Sequence, residues 1–362
     1  MSVPRQRMWS PYMEFSKLRS GARFNLATSG VQSFPMHQFP LQMQQLEIDP
    51  PNGYGYAPLT EKIAKRNSVP AECVVTAMGT SMANHLAMAA TLGPGDEALI
   101  EEPTYELLVT VARYLGAEIR RFPRKAAADF RIDPEEIRKK ISQRTKLVVI
   151  TNLHNPSSAL TNEGTLKEVG KIAREAGVHV LVDEVYLEAM AKPPRSAFHL
   201  GTQFMATSSL TKGYGLSGIR CGWALAEPEL AHRMWRLSDL FTGTNAHPAE
   251  RMSVVALDNL AKFADRAQKI LEANRRALQN FLAGREEIVY FLPPHGTTVF
   301  PRLKRGRAEE FCTRLRTKYD TSVAPGSFFE APEHFRIGLG GEPQMTAGGL
   351  ERLARALKEH GK

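Results

Sequence analysis

Between Cys73 and about Ala226 the chain alternates short apolar runs with stretches of helical period, and that rhythm leaves few architectures open. The runs are Cys73–Ala77, Leu99-Ile100, Leu147–Ile150, Val178–Val182 and Phe204–Thr207. Their apolar residues are consecutive rather than alternating, as in strands covered on both faces. Between them Met82, Leu86 and Ala90 recur four apart, as on a core-facing helix side, and Tyr105–Leu115 reads as helix. Asp133-Pro134 reads as an N-cap with proline at the first helical position, opening Glu135–Ile141. A helix over about Glu163–Ala176 completes a strand–helix–strand series. The pattern predicts an α/β fold whose large domain has a mostly parallel sheet covered by helices on both faces.

After Pro228 the texture changes. Long helices are expected over Glu229–Phe241 and about Pro248–Gly284. Short strands at Val289–Phe291, Thr298–Phe300 and Phe335–Gly338 follow, with helices over Ala308–Tyr319 and near Leu350–His360. These elements predict a smaller α+β domain. A chain of 362 residues is long enough for about two domains. We assign 46–245 to the large domain, and 1–45 with 246–362 to the small one.

Composition serves here to exclude. An ordinary hydrophobic share of 43% allows a sizeable core and rules out a mainly disordered chain. No apolar run approaches the ~18 residues of a membrane span, and the start of the chain, with Arg5, Arg7, Trp9, Pro11 and Glu14, lacks a signal-peptide core. Cys73, Cys221 and Cys312 are too few and too dispersed for a disulfide framework or a zinc site, which favours the cytoplasm and predicts no metal. The net charge of +9 could reflect nucleic acid, an anionic ligand or a solvated basic exterior. Its clusters, around Arg120-Arg121, Arg138–Lys140 and Arg302–Arg307, are scattered and lack interleaved aromatics, so no nucleic-acid partner is expected.

Polar groups follow the predicted strands, where doubly wound sheets place ligands. Gly79-Thr80-Ser81 follows the first run, Asn152–Ser157 the third, Asp183-Glu184-Val185-Tyr186 the fourth, and Ser208–Lys212 the fifth. Gly213–Gly218 matches the dinucleotide fingerprint G-x-G-x-x-G, with Asp239 at a suitable distance, but a strand rather than a helix is expected after it. Lys212 is a better centre. Desolvation disfavours its ammonium and favours a nucleophilic amine able to form a Schiff base with an aldehyde. Arg220 offers a fork to a phosphate, and Ser209 and the helix start at Gly79-Thr80-Ser81 add donors. Asp183, ending a buried strand, suits a protonated ring nitrogen; for Tyr186 to serve the same ligand the chain must turn after Glu184. Aldehyde, phosphate, ring nitrogen and phenolic oxygen are the handles of pyridoxal 5′-phosphate.

The run Ser209-x-x-Lys212-x-x-Gly215-x-x-Gly218-x-Arg220-x-Gly222 resembles the lysine signature of class I/II pyridoxal-phosphate-dependent aminotransferases, the fold-type I group typified by aspartate aminotransferase. Asn155-Pro156-Ser157, Asp183-x-x-Tyr186, Gly79-Thr80-Ser81 and Pro103-Thr104-Tyr105 resemble its other cofactor motifs, and Phe335-Arg336-Ile337 and Val323–Phe329 its C-terminal ones. The resemblance implies that Lys212 forms the aldimine and shuttles a proton, Asp183 holds the ring nitrogen protonated, and Asn155 and Tyr186 bind the ring oxygen. It further implies that Tyr105 stacks on the ring, that Thr80, Ser81, Ser209 and Arg220 hold the phosphate, and that Arg336 with Asn155 binds the substrate carboxylate. Thr28-Ser29-Gly30 resembles a segment that closes over substrate. Tyr54 or Tyr56 would reach the phosphate of a partner subunit in a homodimer with shared active sites. Ser158 departs from the family, which usually has glycine there. The expected reaction moves an amino group between an L-amino acid and a 2-oxo acid by a ping-pong mechanism. A lyase or decarboxylase of the same fold, such as a carbon–sulfur lyase or a 1-aminocyclopropane-1-carboxylate synthase-like enzyme, would use the same residues. A pyridoxal-phosphate-binding transcription regulator would need a DNA-binding module, which the proline-punctuated stretch before Pro51, with Pro4, Pro11, Pro35 and Pro40, does not resemble. His154 is open between a proton relay and a satisfied structural histidine, and Cys221 is expected to be a structural thiol.

Overall fold

The structure is a computed structural model that describes residues 8–360; Pro4, Arg5 and Arg7 lie outside them. A two-residue strand, β1 (Phe24–Asn25), comes first. The central sheet then uses β2 (Val74–Met78), β3 (Glu97–Glu102), β4 (Glu118–Pro123), β5 (Thr145–Thr151), β6 (His179–Asp183), β7 (Phe204–Ser209) and β8 (Cys221–Leu225). Their spatial order is β2-β8-β7-β6-β5-β3-β4, and only β8 runs against the others. The consecutive apolar residues of β5 show why the sheet must be covered twice. Leu147 and Val149 pack with Leu86 of the helix Thr80–Thr91, whereas Val148 and Ile150 pack with Val169 and Ile172 of the helix Glu163–Ala176. Each such side chain taken fully out of water contributes about 1.5–3 kcal/mol.

A second core joins Leu26 and Val31 to Leu271 and Leu278 of the helix Leu260–Leu282, and to Phe311, Phe335, Ile337 and Leu353. β1 pairs in parallel with Thr321–Ser322, so the N-terminal segment is bonded to the C-terminal third. Among the described residues no helix is long and apolar enough to cross a membrane.

Three elements differ from expectation. The helix expected over about Pro248–Gly284 is two helices, His247–Asp258 and Leu260–Leu282. Asn259 interrupts them at φ −114° and ψ 22°, its side-chain amide donating to Val255 O at 2.9 Å in competition with the main chain. β4 was not expected, because Glu118-Ile119-Arg120-Arg121 reads as a charged stretch. It is an edge strand, where charge on the open side discourages pairing with other chains. The last helix starts earlier than expected and spans Pro343–His360.

Candidate active site

The sheet topology collects the polar strand ends on one edge. β2, β3, β5, β6 and β7 finish there, and antiparallel β8 begins there just after Arg220, so residues at or near the ends of six strands face one cavity of about 180 Å³. Its lining includes Thr80, Ser81, Tyr105, Asn155, Asp183, Tyr186, Ser209, Lys212 and Arg220, all singled out from the sequence.

Asp183 is the last residue of β6 and is buried. Its Oδ1 accepts from Val185 N at 3.1 Å and its Oδ2 from Asn84 Nδ2 at 2.8 Å. Burial raises its carboxyl to about 6, against the pull of those donors and of Lys212. The chain turns directly after β6, with a short helical turn at Leu187–Ala189, and this brings Tyr186 to the cavity wall. Lys212 lies in the one-turn helix Thr211–Tyr214, and its Nζ donates to Ser29 Oγ at 3.0 Å. Gly30 packs so close that a Cβ there would meet Lys212 Cδ at 3.2 Å. The backbone of Val31 donates to Lys212 O, which holds the N-terminal segment against the lysine loop.

At the other end of the cavity Gly79, at φ +78°, precedes the helix Thr80–Thr91. A Cβ at Gly79 would come within 2.2 Å of Arg220 Nη2, and one at Gly222 within 2.4 Å of the Gly79 backbone. These two glycines let the guanidinium lie directly over a helix start. Arg220 donates to Met78 O at 3.1 Å and Ser217 O at 3.2 Å, while the buried Thr80 Oγ1 has no partner among the described residues. Cation, helix N-terminus and hydroxyl make an anion cradle.

Arg336 is wholly buried on the strand Phe335–Gly338. Nη1 donates to Asn155 Oδ1 at 2.9 Å, and Nη2 donates to Tyr12 Oη at 2.8 Å and Ala27 O at 3.1 Å. Nε has no partner. Asn155 is held in turn by Thr151 Oγ1, which accepts from its backbone N at 2.9 Å. Ser158 takes the left-handed φ of +60° where glycine would be easiest, and its hydroxyl bonds Thr298 Oγ1 at 2.9 Å.

Among the cavity residues missed from the sequence are Tyr12 and Asn84. Burial pushes the Tyr12 phenol up, but Arg336 and Lys212 outweigh it and hold it below its ordinary value. Its ring meets Tyr105 edge-on at 5.4 Å, so Tyr105 packs on an aromatic neighbour as well as lining the cavity. Ser10 capping and Pro11 opening its short helix were the readable signal, but neither tells where the helix docks. Tyr54 is not brought to the cavity of its own chain. It is 46% exposed, donates to Asp239 Oδ2 at 3.0 Å and lies against Trp235, while Tyr56 packs on His247. His154 is buried and neutral: Nε2 donates to Pro103 O at 2.8 Å, leaving Nδ1 to accept from Ser157 Oγ at 2.6 Å. Burial pushes the Cys221 thiol up to about 12. The Gly213–Gly218 run leads into strand β8, so it cannot present a helix start to a dinucleotide.

The family model for aminotransferase class I and II matches residues 32–357. Capreomycidine synthase from Streptomyces vinaceus is 28% identical over 295 residues, covering 80% of this chain and 76% of that protein. Histidinol-phosphate aminotransferase from Caldicellulosiruptor saccharolyticus is 26% identical over 303 residues, covering 82% and 80%. A crystal structure of a pyridoxal-phosphate-dependent aminotransferase from Streptococcus suis superimposes with a TM-score of 0.88 at 25% identity, covering 93% of this chain and 94% of that one.

Proposed function

The chain belongs to the class I and II aminotransferases, and on that premise we propose which of its residues carry the reaction. The enzyme uses pyridoxal 5′-phosphate to move an amino group between an amino acid and a 2-oxo acid. The residues fit that cofactor: the unpartnered Thr80 Oγ1 and the glycine-lined cradle under Arg220 suit a phosphate, and buried Asp183 suits a protonated ring nitrogen. When bound, the cofactor supplies an aldehyde and an electron-accepting ring. Thr80, Ser81, Ser209 and Arg220 would hold its phosphate, Asp183 its ring N–H, Asn155 and Tyr186 its ring oxygen, and Tyr105 would cover one ring face.

Lys212 Nζ takes up the proton that the substrate Cα releases; a base positioned in this way typically adds about 10²–10⁴ in rate. Arg336, held by Asn155, binds the substrate carboxylate through a fork geometry that lysine could not reproduce. Gly30 and Ser29 pack beside Lys212 and cover part of it. We assign 46–245 to cofactor binding, and 1–45 with 246–362 to a unit that closes on the substrate. The enzyme acts in the cytoplasm as a homodimer in which Tyr54 reaches the phosphate of the neighbouring site.

One observation supports this reading most: Lys212, Asp183 and Asn155 line a single cavity, and Asn155 is bonded to a buried arginine that has no carboxylate partner among the described residues. The test is a single turnover of cofactor-loaded enzyme with one amino acid and no acceptor. One 2-oxo acid per site is expected, and Lys212→Ala should abolish it; a variant that kept full turnover would overturn the assignment. A second reading, a synthase or lyase on the same residues, is favoured by the likeness to capreomycidine synthase. It would give no stoichiometric 2-oxo acid in that experiment.

A further inference from the structure

Asn84 lies in the helix Thr80–Thr91, one turn beyond Thr80, so the two residues share a helix face. Its side chain is buried and bridges two strands. Thr207 of β7, directly opposite Asp183 of β6 in the sheet register, donates its hydroxyl to Asn84 Oδ1 at 2.5 Å. That bond orients the amide. Its oxygen faces Thr207, and its NH₂ faces Asp183 Oδ2 at 2.8 Å. The reversed amide would set oxygen against a carboxylate oxygen.

We propose that Asn84, oriented by Thr207, is a positioning residue that keeps Asp183 an ionised acceptor aimed at the cofactor ring nitrogen. The inference rests on the assignment of Asp183 to that nitrogen. Both Asp183 oxygens receive an N–H, from Val185 and from Asn84, and each of these donors binds the anion more strongly than the acid. Burial works the other way, as does the charge of Glu101, while Lys212 helps the anion. Of the two donors only Asn84 is a side chain, so it is the one a substitution can remove. The helix that carries it also opens the phosphate cradle, so one element would serve both the phosphate and, through Asp183, the ring nitrogen. A purely structural Asn84 would only satisfy its buried neighbours.

The experiment compares two ligands on the full-length chain stripped of cofactor: pyridoxal 5′-phosphate, and its analogue with C–H in place of the ring nitrogen. Wild type should bind the cofactor more tightly than the analogue. Asn84→Leu should weaken the cofactor about 10- to 100-fold, as expected for losing a charge-assisted hydrogen bond, and leave the analogue within about twofold. Asn84→Asp, which keeps the shape and the Thr207 bond but faces Asp183 with a second carboxyl, should lose the preference entirely. Asn84→Leu weakening both ligands equally, or keeping the wild-type preference, would overturn the proposal. If wild type itself shows no preference, the assignment of Asp183 to the ring nitrogen fails first.

Discussion

Arg124 and Arg336 are both buried to 1% exposure or less, yet their surroundings are opposite. Arg124 has its charge matched. Nη1 donates to Glu101 Oε2 at 2.8 Å, Nε to Phe130 O at 2.6 Å and Nη2 to Thr161 Oγ1 at 3.2 Å. The second oxygen of Glu101 accepts from Thr151 N at 2.7 Å. Arg336 has only neutral acceptors and a free Nε, and among the described residues no carboxylate pairs with it. Burial of the charge is equal, so the counter-charge distinguishes a structural arginine from one prepared for an anion. The two environments are also joined. Thr151, held by Glu101, accepts from the backbone of Asn155, which accepts from Arg336. Glu184 adds the acidic counterpart: it is buried, no cation pairs with it among the described residues, and burial raises its carboxyl to about 7. A lone buried carboxyl can take up a proton, but a lone arginine cannot lose one and must find an anion.

The hardest strike at this comparison is Glu101→Gln, which leaves Arg124 charged and unpaired. It should cost about 3–5 kcal/mol of stability in urea unfolding, and an unchanged midpoint would mean the pair is not structural. Arg336→Gln should do the reverse. The variant should unfold at or above the wild-type midpoint, while kcat/KM falls by an amount equivalent to about 2–5 kcal/mol, read in steady-state assays. Should stability drop sharply with kcat/KM intact, the two arginines would be alike. The smallest effect concerns pH. The Glu184 carboxyl moves from 4.5 when unfolded to about 7 when folded, so across that window the unfolded chain holds fewer protons. Its contribution is therefore complete below pH about 4.5 and lost as pH rises to about 7, by roughly 3 kcal/mol for the cofactor-free protein. Glu184→Gln should flatten that part of the stability profile, and an unchanged slope would count against a protonated Glu184.

The catalytic candidates were readable where chemistry follows a strand. Asp183, Asn155, Ser209 and Lys212 each come shortly after an apolar run, and a parallel sheet sends those ends to one edge. β4 was hidden because an edge strand needs only one apolar face. Ser158 could be seen as a departure, but its positive φ and its bond to Thr298 could not. Tyr12 escaped because its partner, Arg336, is 324 residues away, and no periodicity in either segment links them.

From the sequence alone came the α/β class and the family, and the proposal of a lysine-centred chemistry, because strand and helix period and motif spacing are local properties of the chain. Tertiary structure decided which buried charges are matched, that Thr207 turns the Asn84 amide toward Asp183, and that the N-terminal segment supplies Tyr12 and Ser29. Those are contacts between distant segments, settled only when two cores pack and each buried polar atom must find a partner.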